Sequence, residues 1–75
     1  MDNKSLNLLE QVFQAEIDGA MSGGPGLFQT KRQLAKQLEK DGYLESVTVD
    51  MGGVFPVSVT GYRLTLLGNA TYCLS

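Results

Sequence analysis

The stretch Thr-Lys-Arg-Gln-Leu-Ala-Lys-Gln-Leu-Glu-Lys-Asp-Gly-Tyr-Leu, residues 30–44, reads as one amphipathic helix with both ends marked. At about 100° per residue, Leu34, Ala35 and Leu38 share one face, and Arg32, Gln33, Lys36, Gln37 and Lys40 share the opposite one. Thr30 is a good N-cap, and Gln33 three residues on completes a capping-box pattern. Gly42, after Asp41, supplies the left-handed residue that ends a helix. The spacing therefore predicts a helix over residues 30–41. Four of the chain's 6 basic residues (Lys31, Arg32, Lys36 and Lys40) lie in it, although the net charge is −2. Positive charge is gathered in one place, which is what a binding surface requires.

A chain of 75 residues makes one domain, residues 1–75, with one small core. At 43% apolar and 19% charged, it has the composition of an ordinary globular domain. No apolar run approaches the roughly 18 residues of a membrane span, and Met-Asp-Asn-Lys-Ser is no signal peptide. A single cysteine, Cys73, excludes an internal disulfide framework and suits a reducing compartment. The expectation is a cytoplasmic protein with no membrane partner.

The acidic balance argues against a nonspecific nucleic-acid coat, but it leaves room for a local basic face. With no histidine, the usual general base near neutral pH and the commonest nitrogen ligand for metals are both missing. No activated nucleophile and no carboxylate pair at a fixed local spacing stands out. Cys73 has no basic neighbour and reads as a small packing residue. No catalytic residue, metal site or cofactor is expected.

Asp2 or Asn3 can cap a first helix, in which Leu6, Leu9, Val12, Phe13 and Ile17 follow helical spacing, with Gly19 as the stop. Ser22-Gly23-Gly24-Pro25-Gly26 cannot continue a helix. It is no P-loop, because Gly26 is followed by Leu27-Phe28 rather than Lys-Ser/Thr. Nor is it a dinucleotide turn, because a helix rather than a buried strand precedes it. It reads as a connection, with Leu27 and Phe28 tucking back into the core as a short strand. Beyond Gly42, Ser46–Asp50 alternates as a strand, Met51-Gly52-Gly53 marks a turn, and Val54–Thr60 resumes the pattern. Pro56 confines this second run to an edge or a loop. The apolar parity slips from odd to even positions at Gly61, which predicts a bulge. Thr65–Tyr72 reads as a short, Thr-capped helical turn. The predicted core is Leu9, Phe13, Ile17, Leu34, Leu38, Tyr43, Leu44, Val47, Val49, Leu64 and Leu66.

This order of elements resembles the winged-helix domain of bacterial transcriptional regulators. There a recognition helix ends at Leu-Glu-x-x-Gly-Tyr/Leu-Leu/Ile-Glu, matched here by Leu38, Glu39, Gly42, Tyr43, Leu44 and Glu45. The second wing strand often ends in Tyr-x-Leu-Thr-x-x-Gly, matched by Tyr62, Leu64, Thr65 and Gly68. The match runs from about Thr30 to Tyr72. The resemblance implies a small α+β domain: two main helices, a β-hairpin wing and a short C-terminal turn. It further implies a cytoplasmic regulator of transcription, a homodimer on double-stranded DNA. Thr30, Lys31, Arg32, Gln33, Lys36, Gln37 and Lys40 would form its DNA-binding face. Arginine and lysine suit phosphates and guanine edges, and glutamine suits adenine.

A second reading stands beside it. The tip region, Asp50 to Thr60, contains no Lys or Arg and offers Met51, Val54, Phe55 and Val57. Such a tip suits a protein contact better than a phosphate one. The alternative is a winged-helix-like interaction module, an adaptor or an inhibitor encoded by a mobile element, that meets a protein partner through the wing.

Overall fold

The computed structural model describes residues 2–50, 52–54 and 57–74. Over these described residues it is an α+β fold of three helices and one antiparallel hairpin. The elements are α1 (Asn3–Ser22), α2 (Gln33–Lys40), β1 (Leu44–Asp50), β2 (Ser58–Leu64) and α3 (Leu66–Leu74). Helix α1 packs on β2 and α3, while α2 packs on β1. The core where they meet is Leu8, Leu9, Val12, Ala35, Leu38, Leu44 and Leu64. Phe13, Leu34, Tyr43, Tyr62 and Tyr72 close over it, and the rings of Phe13 and Tyr72 lie 5.0 Å apart.

Asp2 caps α1 as expected, accepting the Ser5 N–H at 2.9 Å. The helix does not stop at Gly19, however. It runs to Ser22 and ends at Gly23, whose φ of 77° is left-handed. Gly19 is glycine for another reason. A Cβ there would lie 2.4 Å from the Gly26 backbone, so the residue admits the returning loop rather than breaking the helix. Leu8 is fully buried although the predicted stripe omitted it, and Ile17 is only half-buried. The buried face is wide because three elements cover α1.

Helix α2 begins two residues later than its capping signal predicts. Arg32 occupies the N-cap with no side-chain cap bond, and the Thr30 hydroxyl instead accepts the Arg32 N–H at 3.2 Å. The chain ahead of α2 is held elsewhere. Phe28 exchanges backbone bonds with Tyr62, and Gln29 Nε2 donates to the Thr60 carbonyl. Phe28 thus supplies the short strand expected there, as a single bridge. The far end of α2 follows the local signal. Gly42 N–H donates to the Glu39 carbonyl and Tyr43 N–H to that of Leu38, with Gly42 at φ 92°. This is the Schellman arrangement.

The hairpin register runs one-to-one from Leu44↔Leu64 to Asp50↔Ser58, so Gly61 makes no bulge. A Cβ on Gly61 would sit 2.8 Å from Leu27 Cβ and 3.1 Å from the Phe28 carbonyl oxygen. The parity slip has a different cause: the two faces of the hairpin are covered at different places. Leu44, Tyr62 and Leu64 face the core at the base, while Val47, Val49 and Val59, on the other face, are half-buried further out. β1 starts two residues earlier than predicted, and β2 starts only at Ser58. Met51, Phe55 and Pro56 lie outside the described residues.

The expected C-terminal turn is a helix of 9 residues, α3. The Thr65 hydroxyl accepts the Gly68 N–H at 3.1 Å and donates to the Gly42 carbonyl at 2.5 Å. Leu66, predicted as core, is 91% exposed. It stands about 200° around α3 from Gly68, and Gly68 is the residue pressed onto the Tyr43 carbonyl.

Candidate nucleic-acid interface

The outer face of α2 follows from the sides it buries. Ala35 and Leu38 are enclosed and Leu34 is half-buried, which turns Arg32, Gln33, Lys36, Gln37 and Lys40 outward, all exposed. Lys31 is also exposed, and Thr30 is half-buried, but both precede the helix in the extended lead-in. Residues four apart stack along one side of a helix, so Arg32, Lys36 and Lys40 form a row.

The acidic residues near this row are turned to other partners. Glu39 Oε2 accepts the Ser46 N–H at 3.1 Å, tying α2 to β1. Asp41 Oδ1 accepts from Gln37 Nε2 at 3.1 Å. The only ion pair among the described residues joins Arg63 to Glu45 on the hairpin. Lys31, Arg32, Lys36 and Lys40 thus make no ion pair among the described residues. Gln37 is less available than its position suggested, being bonded to Asp41, whereas no side-chain bond holds Gln33 among the described residues.

At the turn of the hairpin, Val54 is 91% and Val57 55% exposed. Met51 and Phe55, the other two residues expected in an apolar contact, lie outside the described set. A feature the sequence reading missed is an open groove of about 830 Å³ between the end of α1, the Gly-rich loop and the hairpin. Val47, Val49, Leu27, Glu16 and the Arg63–Glu45 pair line it. Glu16 gave no signal because its partner is 48 positions away: its Oε1 accepts the Leu64 N–H at 2.9 Å.

Cys73 is exposed rather than packed. Among the described residues, no three His, Cys, Asp or Glu side chains gather as metal ligands, and no helix is long and apolar enough to cross a membrane. The chain matches no family model, no curated protein and no solved structure.

Proposed function

We propose that this chain is a winged-helix-like, sequence-specific DNA-binding regulator of transcription that presents α2 to a major groove. The observation that carries the reading is the row of cations on α2, exposed and without ion pairs among the described residues. A structural surface helix in an acidic protein would be expected to pair some of them with its own Glu39 and Asp41. Here those carboxylates bond an amide N–H and a glutamine instead. Held by β1 behind and by the lead-in at its start, α2 is a rigid mount for side chains that approach a duplex.

Arg32 and Gln33 lie at the N-terminal end, where recognition helices usually reach base edges, and Lys36 and Lys40 further along would meet phosphate. The two groups should therefore fail differently. Arg32→Ala should cost about 1–3 kcal/mol of binding and blur the preferred sequence, while Lys40→Ala should weaken all duplexes alike and lower the salt slope by about one unit. Binding to random-sequence duplex across a salt series, followed by selection, makes the measurement. Equal losses on every duplex for both variants, or no binding at low salt by the parent, would sink the proposal.

The second reading, a protein-interaction module, is favoured by one feature: Val54 and Val57 are apolar and exposed at the turn. A protein partner captured through that turn, with no DNA shift at low salt, would favour it.

A further inference from the structure

Helix α3 is built inside out. Its buried and half-buried positions, Gly68, Asn69, Thr71 and Tyr72, carry its polar groups, and Gly68 presses on the Tyr43 carbonyl. Its exposed positions are Leu66, Leu67, Ala70, Cys73 and Leu74, every one apolar. At 100° per residue these five fall within about 120° of arc, so they form one face. Leu66 is 91%, Leu67 50% and Leu74 88% exposed, which leaves the leucines of this face largely in water. From Leu64 to Ser75 the chain has no Asp, Glu, Lys or Arg. A surface helix ordinarily turns the opposite way, with its polar side outward.

We propose that this face is where two copies of the chain meet, α3 crossing the second copy's α3 antiparallel at Ala70. Leu66, Ala70 and Leu74 make one ridge at four-residue spacing, large, small and large. A crossing at the small residue brings the two helices close and seats Leu74 of each copy between Leu66 and Leu67 of the other. A crossing elsewhere on the ridge would set leucine on leucine and hold the helices apart. The face offers on the order of 500 Å² of apolar surface, at the upper end of what a monomer leaves in water. Two such faces together reach the roughly 1,000 Å² that a specific interface needs. Leu66 and Leu67 also form a lip of the groove lined by Leu27, Val47 and Val49, so the apolar surface continues past the helix. With no charge on α3, a charged partner would lose its water there for no return, whereas two copies of α3 oppose no like charges.

This contact rests on α3 and is independent of what α2 binds. Its test is sedimentation velocity of the full chain over a concentration series, with no DNA present. The parent should pass from monomer to dimer as concentration rises. Cys73, exposed in the single copy and at the margin of the contact, should react more slowly with a maleimide in step. Leu66→Asp puts a charge in the contact and Ala70→Arg holds the helices apart, so each should weaken the dimer on the order of 100-fold. Both positions are exposed, so each variant should keep the parent's far-UV circular dichroism. Val57→Ser, at the turn of the hairpin, should leave the dimer unchanged. A parent that stays monomeric throughout overturns the proposal and leaves the face to a different protein. So does a dimer that survives both α3 variants, or one lost with Val57→Ser instead. If the α3 variants fail to fold, the Cys73 rate of the parent decides, and a dimer that leaves it unchanged overturns the proposal.

Discussion

The base and the outer half of the hairpin are built from the same alternating strand pattern, yet they do different work. At the base, Leu44 and Leu64 are buried, Glu16 and Glu39 reach in from two helices, and Thr65 binds the Gly42 carbonyl. In the outer half the strands mostly hold each other. The Thr48 and Thr60 hydroxyls are 2.8 Å apart, and Ser58 donates to Asp50 at 2.7 Å. The difference teaches that stability is concentrated where the helices converge. The surface beyond, like the outer face of α2, is free to carry contacts because little of the fold depends on it.

The comparison is broken most directly at the base. Leu44→Ala empties a fully enclosed site and should cost about 2–5 kcal/mol in denaturant titration, a large share of a small domain's stability. Gly68→Ala sharpens it. The added Cβ would fall 2.0 Å from the Tyr43 carbonyl oxygen, which already accepts the Thr65 N–H. Relief requires α3 to shift, so a loss near the upper end of the usual 1–3 kcal/mol overpacking range is expected. Val57→Ser, at the turn, should stay within about 0.5 kcal/mol of the parent. A large loss there would show that the outer half supports the core.

The smallest effect belongs to the N-terminus of α1, far from the hairpin. Hydrogen bonds from Ser5, its side chain first and its backbone N–H second, hold the Asp2 carboxyl below its ordinary value. A depressed carboxylate contributes stability above its unfolded value and loses it as pH falls through the folded one. The first turn of α1 should therefore fray as pH drops below the ordinary aspartate range. Amide exchange at Ser5 should follow this, and Asp2→Asn should remove most of that pH dependence.

Local chemistry by itself determined a good deal of this protein. Helical spacing placed Leu34, Ala35 and Leu38 inward and the cations outward, and Gly42 closed α2 because a left-handed residue ends a helix wherever it packs. Thr65 and Asp2 were readable as caps because their partners lie three residues away. Tertiary structure decided what depended on distant neighbours. Gly19 reads as a stop until Gly26 is seen against it, and Thr30 reads as a cap until the bonds of Phe28 and Gln29 to β2 hold the lead-in extended. Gly61 looks like a bulge, but Leu27 and Phe28 make it a point of close approach. Leu66 looks like core, but the contact of Gly68 with Tyr43 rotates it outward. In the same way, the lack of ion pairs to the α2 cations among the described residues was not legible from composition. It depends on where Glu39 and Asp41 turn, and the positions of β1 and Gln37 settle that.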